Sequence, residues 1–506
     1  MSQTRGRSRF WFCAWPNEFF RIIALTITLT LLPITALADE TTSRLDLNLK
    51  APIPVADETR ASSEPVGVDR CVEIALSGSG KIAEAAGLVA EWKARLFEVE
   101  ANIYPKLQGL AFVAPMFTVE AKDGSSVLGG VQRKWKSLSD WGPYFRLEML
   151  LVQPIYTFGR LSAGEDAANA RLEVEKARFE QAKNAVALQT RKFYYLHLYA
   201  KSLLPLLTNA RKTLDEVLEQ AHAMHAEGSG KVSTPDLMKL EIASSEIDKF
   251  LVQAKVGISL SLAALKHTMG LSPADPLVLA DERLPNVSDD PPPLESLVAL
   301  AEMQRPEFAQ ISNGLRAAKS LERAEKLADA PIVAIVGQFQ ASFAPTREDT
   351  DNPYLSDPYN DLFGGVALAI QFGLDPAASH AKSLAARAMG KQVEGLSRFA
   401  QTGIPVEVKK AWDEEQQARQ LLHLAKKAEV AARKWMIFAG AAYGSGTGET
   451  KDFIEGFAAH MQMRKNRLDQ LLAVHTARAE LIHAVGQRMD GFETTAAAVS
   501  SDLSSN

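Results

Sequence analysis

Residues 226–237 read Ala-Glu-Gly-Ser-Gly-Lys-Val-Ser-Thr-Pro-Asp-Leu, and residues 442–453 read Ala-Tyr-Gly-Ser-Gly-Thr-Gly-Glu-Thr-Lys-Asp-Phe. Read from the shared Gly-Ser-Gly, the two stretches align, and Gly444 follows Gly228 by 216 positions. In each stretch the glycines end one helical pattern and polar residues open the next. Because a repeated unit must build the same supersecondary structure twice, the chain is predicted to contain two internal repeats.

The repeat fixes the predicted domain boundaries, since Gly486 also follows Gly270 by 216 positions. The predicted segments are a signal peptide (1–38), an N-terminal arm (39–68), a first repeat (69–270), a linker (271–293), a second repeat (294–486) and a disordered tail (487–506).

The N-terminus has the composition of a secretory signal. Arginines precede the apolar run 22–32, and Ala36-Leu37-Ala38 supplies a small-residue cleavage site. A retained N-terminal anchor is the alternative. The first 38 residues carry four arginines and one glutamate, so a net charge of −5 becomes −8 after cleavage. This acidic balance gives no support for a nucleic-acid partner. Cys71 alone would remain, which excludes an intrachain disulfide.

Each repeat contains two amphipathic segments with a period of two, which predicts β-hairpins over 106–156 and 332–372. The first hairpin is predicted to have a long loop over 121–140. Each strand is expected to carry one apolar face and one polar face. The apolar positions are Leu110, Phe112, Phe145, Leu147, Met149, Leu151, Ile335, Phe339, Phe343, Val366, Leu368 and Ile370; the polar ones include Arg146, Glu148, Gln338 and Gln340.

Four short strands cannot close a barrel, and an open sheet leaves unpaired edges. Strands with one apolar face suit a wall between lipid and water, so several chains are expected to contribute strands to one barrel. Aromatic residues near the strand ends are candidates for interfacial girdles: Trp135, Trp141, Tyr144, Tyr156, Tyr354, Tyr359 and Phe363. A soluble sandwich packed by these aromatics is the alternative.

The rest of each repeat is helical. Helices are predicted over 69–102 and 294–329, followed by long helices after each hairpin and a return helix after each Gly-Ser-Gly turn. Pro205 is expected to bend the first long helix, and Gly403 with Pro405 to interrupt the second. The heptad rhythm of Leu203, Leu207, Ala210, Leu214, Val217 and Ala221 indicates coiled-coil packing. The long helices could line a tube or form a solid bundle.

Motifs for catalysis and cofactor binding are incomplete. Ser77-Gly-Ser-Gly-Lys81 and Gly228-Ser-Gly-Lys231 lack the spacing of a phosphate-binding loop. His222 and His225 share a helix face, but the sequence offers no further ligand for a metal. The sequence therefore predicts no enzyme, no cofactor and no metal site.

The order of elements, the duplicated glycine turns and the junction Gln153-Pro-Ile-Tyr-Thr-Phe-Gly159 together resemble the TolC family of outer-membrane efflux proteins. The resemblance covers about residues 68–485. It implies a membrane α+β fold: a homotrimer whose 12-stranded β-barrel, four strands per protomer, continues into a long α-helical coiled-coil tunnel through the periplasm.

The resemblance also implies site residues at the periplasmic helix tips. Counting from Gly446, the two acidic residues of the family's constriction fall at Asp452 and Glu455. Three copies would form a cation-attracting ring of carboxylates. The alternative is an ordinary solvated pair in the first turn of a helix, where acidic residues favour the helix dipole.

A gate contact of the family, between an aspartate and a tyrosine, falls at Asp236 and Tyr443. The family's second contact, between an arginine and a threonine, falls at Gly448 and Pro235, and neither residue can make it. The resemblance therefore predicts a closed state that keeps one contact of the two.

The function implied is a passive outer-membrane duct of a tripartite efflux or type I secretion system. Its expected partners are a periplasmic adaptor protein, an inner-membrane pump or ABC exporter, outer-membrane lipid and two further copies of the chain. A soluble periplasmic coiled-coil scaffold without a pore is the alternative, and a hydrolase is a third reading that lacks any visible catalytic geometry.

Overall fold

The computed structural model describes residues 65–117, 119–122, 132–135, 141–227, 232–287, 290–346, 358–445 and 447–487. The predicted signal peptide, nearly all of the arm and nearly all of the tail lie outside these ranges. The helices are α1 Val68–Gly78, α2 Gly80–Glu100, α3 Arg160–Ala226, α4 Thr234–Thr268, α5 Leu294–Gln304, α6 Pro306–Lys326, α7 Pro376–Gly444 and α8 Thr450–Val485. The strands are β1 Lys106–Phe117, β2 Val119–Lys122, β3 Gln132–Trp135, β4 Trp141–Tyr156, β5 Ile332–Phe343 and β6 Asp361–Gln371.

The two predicted hairpins join into one antiparallel sheet in the order β1-β4-β5-β6. Each hairpin comes from one repeat, and the repeats meet between β4 and β5, where Glu148 lies opposite Gln340. The prediction of a loop over 121–140 is wrong in part. β3 and the second half of β2 lie inside this range, and the two strands pair with each other in a separate two-stranded sheet.

The register gives the sheet one continuous apolar face. Opposite residues on it include Val113 with Phe145, Met149 with Phe339, and Ile335 with Leu368. The expectation is wrong for β1, because Leu110 and Phe112 lie opposite Glu148 and Arg146 on the polar face. The small residues Gly109 and Ala111 take their place on the apolar face.

Each predicted first helix of a repeat is two helices. α1 and α2 separate at Ser79, and α5 and α6 separate at Arg305, both with extended backbone. At Arg305 the cause is Pro306, since a residue before proline avoids the helical region. At Ser79 the cause is tertiary, because Gly78 packs against the backbone of Met269 at the end of α4.

The long helices α3 and α7 have 67 and 69 residues, about 100 Å each. α3 continues through Pro205, and α7 continues through Pro405. The predicted interruption at Gly403 and Pro405 is therefore wrong. A proline costs the helix about 3 kcal/mol, but Ile404 and Val408 on either side are buried in a cluster with α5 and α8. Packing compensates for the lost hydrogen bond.

The described residues of the predicted linker, 271–287 and 290–293, form a strap that packs across the helices. Leu279 and Leu284 are buried in the largest apolar cluster, which also contains Tyr194 and Tyr195 of α3. Polar contacts hold the strap along its length: Tyr194 Oη donates to Asp281 at 2.7 Å, Ser202 Oγ accepts from Leu284 N at 3.2 Å, His475 Nε2 lies 2.8 Å from Pro285 O, and Trp412 Nε1 donates to Pro292 O at 3.1 Å.

None of the helices described here is long and apolar enough to cross a membrane.

Candidate functional site: the helix tips and the open sheet

The two helical hairpins, α3 with α4 and α7 with α8, pack together at their tips. Leu214, Leu237 and Phe457 are buried there in one apolar cluster. Two glycines bring α7 and α8 close together. A Cβ on Gly456 would lie 3.3 Å from Met436 Cα, and one on Gly440 would lie 3.4 Å from the Phe453 ring. The described helix ends at the tips therefore pack against one another.

Asp452 and Glu455 lie in the first two turns of α8, on its exposed side. Their neighbours Phe453 and Phe457 face the apolar cluster instead, with ring centroids 6.2 Å apart. Lys451 Nζ lies 3.9 Å from a Glu455 carboxylate oxygen. The two carboxylates thus point away from the packed tip, where a neighbouring copy could meet them, and their role in a ring stays a prediction.

Asp236 and Tyr443 both lie at the tips. Ser233 Oγ donates to Asp236 Oδ2 at 2.5 Å, and Lys239 Nζ lies 3.8 Å from Oδ1. The Ser233 hydroxyl holds the pKa of the Asp236 carboxyl below its usual value. Asp236 also completes the capping box at the start of α4, in which Ser233 is the N-cap.

Tyr443 stacks on Phe453 with centroids 5.7 Å apart, and its hydroxyl donates to Met224 Sδ at 3.5 Å. The ring and hydroxyl of Tyr443 thus join the two hairpins. The direct contact between Asp236 and Tyr443 stays a prediction.

The turn between α7 and α8 is narrow at Gly448. Its N–H donates to Ala442 O at 2.9 Å, and a Cβ on Gly448 would lie 2.7 Å from Ala442 Cβ. A side chain at this position would displace the turn. The glycine thus has a steric reason to stand where the family pattern places an arginine.

The four-stranded sheet is a candidate interaction surface, because its two edges and its apolar face are open. Within the described residues, β1 and β6 each pair on one side only, so both edges present free backbone groups. The apolar face is open: Val366 and Leu368 of β6 are 79% and 69% exposed. An exposed apolar face of this extent marks a surface that meets lipid or another protein.

The prediction of an aromatic girdle is wrong for three of its residues, because the strand register places them on the polar face of the sheet. Trp141 and Tyr156 lie on the apolar face at opposite ends of β4. Tyr144 and Phe363 lie on the polar face, opposite Ala114 and Gln340. Tyr359 packs on Tyr144 and so covers the polar face too. The side chain of Trp135 and all of Tyr354 lie outside the described residues.

Two further surfaces escaped the sequence analysis. On α7, a second apolar seam flanks the buried side and follows steps of three and four; its residues are exposed except for half-buried Ala428: Leu421, Leu424, Ala428, Ala431, Trp435 and Phe438. On α4, an exposed apolar series comprises Met238, Ile242, Val252, Val256 and Leu260. Both helices also carry buried apolar residues, so the exposed apolar residues do not stand out in the sequence. Assigning heptad positions along each helix would have separated the two sets.

The described residues contain no cluster of three or more His, Cys, Asp or Glu side chains that could hold a metal ion. His225 Nδ1 lies 3.0 Å from Val232 O, which ties it to the turn between α3 and α4.

No family model and no curated protein matches this sequence. Solved structures do match. A membrane protein from Pseudomonas aeruginosa is 15% identical, with a TM-score of 0.68 over 83% of this chain and 93% of that one. The CmeC outer membrane channel of Campylobacter jejuni is 16% identical, with a TM-score of 0.66 over 83% and 85%. The outer membrane protein VceC of Vibrio cholerae is 14% identical, with a TM-score of 0.66 over 83% and 96%.

The fold is therefore the one that these outer membrane proteins share, and in this chain it consists of long helices and a four-stranded sheet. The resemblance to the TolC family is confirmed at the level of the fold.

Proposed function

We propose that the protein is the outer-membrane channel of a tripartite efflux or type I secretion system, working as a passive trimeric duct. The observation that carries the proposal is the open sheet: two unpaired edges border a continuous apolar face. Pairing of β6 in one copy with β1 in the next removes every free edge when the ring closes. Three copies then give the 12 strands that the resemblance implies.

The helical surfaces support the same closed ring. The seam on α7 and the apolar series on α4 belong to different hairpins, so one copy offers α4 to the α7 of the next. Such a heterologous contact produces a ring when its rotation closes. In a chain without this contact, Phe438 and Ile242 are 75% and 65% exposed, so the contact would remove their apolar surface from water.

The packed tips are the proposed periplasmic end. Asp452 and Glu455 would line the constriction, and Asp236 with Tyr443 would hold it closed. An adaptor protein and an inner-membrane pump or ABC exporter would engage the tips and open them. The apolar face would contact outer-membrane lipid. A duct of this kind needs no catalytic residues and no cofactor.

A matched pair of variants tests the proposal. Val366→Arg places a charge in the centre of the apolar face, at a cost of about 2–4 kcal/mol if that face meets lipid. Gln338→Arg places the same charge on the polar face. We expect the wild type and Gln338→Arg to fractionate with the outer membrane, to run as heat-modifiable trimers and to conduct in planar bilayers. Val366→Arg should lose all three properties.

The alternative function, a soluble scaffold without a pore, predicts a different result. The wild type would then be a monodisperse, water-soluble species without detergent. Equal behaviour of the two arginine variants would also contradict the assignment of the faces.

A further inference from the structure

His460 is a buried histidine of α8 that lies where the two helical hairpins meet. It is 6% exposed, and within the described residues its Nδ1 atom has no hydrogen-bond partner. One turn earlier on α8, Gly456 meets the backbone of Met436 on α7, and Phe457 packs into the cluster that joins the tips of the two hairpins. Because residues three and four apart share one face of a helix, His460 faces the space between α7 and the hairpin of α3 and α4.

Positive charge surrounds this imidazole. Arg464 on α8 and Arg433 on α7 oppose a charge on His460, and Glu429 on α7 favours one. The carboxylate of Glu429 is already engaged, since its oxygens lie 2.6 Å from Arg467 Nε and 3.9 Å from Arg464 Nε. Three guanidinium groups therefore surround one carboxylate beside the buried ring.

The first hairpin offers mainly apolar surface to this region. α3 contributes Ala210 and α4 contributes Leu237 to the cluster at the tips, and Leu206 of α3 packs with α4 and α8 above it. The charged groups of this part of the hairpin bind each other, with Arg211 Nε 2.9 Å from Asp248 Oδ1. These positions supply no free carboxylate for a protonated imidazole.

We propose that His460 is a proton-operated switch, whose protonation drives the α7–α8 hairpin away from the α3–α4 hairpin and so opens the tips in acid. The inference rests on the proposed function, because it takes the packed tips as the closed end of a duct. A protonated ring would add a fourth positive charge beside one engaged carboxylate, in a space from which water is largely excluded. Parting of the hairpins would expose the ring to water and relieve the repulsion.

The direction of the effect follows from proton linkage. In the packed tips, burial lowers the pKa of His460 below its ordinary value of 6.5, and Arg464 and Arg433 lower it further against the opposing effect of Glu429. In parted tips an exposed ring would return toward its ordinary pKa, so the open form binds more protons. Opening is therefore favoured as the pH falls below about 6.5, by up to about tenfold per copy at about pH 5.5.

Single-channel recordings test the switch. Trimers in planar bilayers are compared at about pH 7.5 and about pH 5.5, a range above the ordinary titration of carboxyl groups. We expect the open probability of the wild type to rise at least about fivefold in acid. His460→Gln and His460→Leu cannot take up the proton and should abolish the rise. His225→Gln is the matched control, because His225 also lies at the tips, with Nδ1 3.0 Å from Val232 O, and this variant should keep the rise.

Hydrogen exchange of the wild type gives a second measurement that needs no substitution. After correction for the intrinsic effect of pH on exchange, residues 450–461 of α8 should lose protection in acid. Residues 160–180 of α3, far from the tips, should keep theirs. Such a pattern reports local opening of the tips and not unfolding of the whole chain.

The outcomes separate the switch from the function. If no trimer conducts at either pH, the proposed function fails and the switch fails with it. If the wild type conducts equally at both pH values, or if His460→Gln responds to acid as the wild type does, the switch is wrong and the duct stands. Unchanged protection of residues 450–461 in acid would refute the switch even if neither variant of His460 assembles.

Discussion

Gly270, just past the end of α4, lies with its backbone directly against that of Gly78, at the break between α1 and α2. Gly270 has a φ of +73°, and a Cβ on Gly78 would lie 2.6 Å from the carbonyl oxygen of Met269. The second repeat has the same arrangement. Gly486 has a φ of +82°, and a Cβ on it would lie 3.1 Å from Arg305 Cα. In both repeats, the glycine that follows the last helix therefore packs against the break between the first two helices.

Gly270→Ala should destabilise the protein. An L-residue in the left-handed region costs about 1–2 kcal/mol, and the new methyl group would also overlap the Gly78 carbonyl. Thermal unfolding in detergent measures the loss. Gly87→Ala is the control, because Gly87 lies inside α2 with nothing within 4 Å of its Cβ position. It should stabilise the helix by up to about 1 kcal/mol. Equal effects of the two changes would contradict the contact.

Glu415→Gln should be the most damaging single charge removal in α7. Glu415 is fully buried and accepts hydrogen bonds from Arg419 at 2.9 Å and Arg478 at 3.1 Å. Without its charge, the two largely buried guanidinium groups lose the carboxylate that they share, which costs about 3–5 kcal/mol. Chemical denaturation measures it. Glu414→Gln breaks an exposed pair with Lys410 and should cost less than about 1 kcal/mol. A comparable small loss for both would refute the buried network.

The strap should make stability depend on pH. Burial lowers the pKa of His475 below its ordinary value of 6.5, and Arg419 lowers it further, while the Pro285 carbonyl and Asp281 raise it. The folded protein therefore binds fewer protons than the unfolded chain. This contribution is complete above pH 6.5 and is lost as the pH falls through the folded pKa.

Unfolding midpoints between about pH 8 and pH 5 check this dependence. His475→Gln can still donate to Pro285 O but cannot titrate, so the loss at acid pH should be smaller. His423→Gln, at an exposed position of α7, should leave the curve unchanged. A His475→Gln curve parallel to the wild type would remove His475 from the explanation.

The carboxylates of α8 should give the duct cation preference. Lys451 lies beside Glu455 and offsets part of its charge, so Asp452→Asn should reduce the preference more than Glu455→Gln. Reversal potentials across a potassium chloride gradient measure this cation preference. Asp413→Asn removes a carboxylate that is paired with Lys409 on the exposed side of α7 and should have no effect. Unchanged selectivity in the Asp452→Asn, Glu455→Gln double variant would show that the constriction lies elsewhere.

Tyr443→Phe should raise single-channel conductance. The change removes the hydroxyl that reaches Met224 and the predicted contact with Asp236, but it keeps the stacking on Phe453. Gly448 cannot make the family's second gate contact. The predicted closed state therefore depends largely on the hydroxyl of Tyr443. Tyr156→Phe, on the apolar face of the sheet, is the control. A conductance equal to the wild type would exclude Tyr443 from the gate.

Local signals in the chain determined the elements and their order. The duplicated glycine turns and the period-two segments are readable because they act within a few residues of themselves. Pro306 carries a local signal for the break at Arg305 as well, and the prediction of one helix over 294–329 missed it. The family fold followed from the order and lengths of these elements.

Tertiary structure decided what local signals leave open. The break at Ser79 exists because Gly78 meets α4, and α7 runs through Pro405 because its neighbours bury Ile404 and Val408. The side of the sheet on which Leu110 and Tyr144 lie depends on register, and a shift of one residue would have reversed it. Each of these outcomes depends on a partner distant in the chain, which no window of the sequence contains.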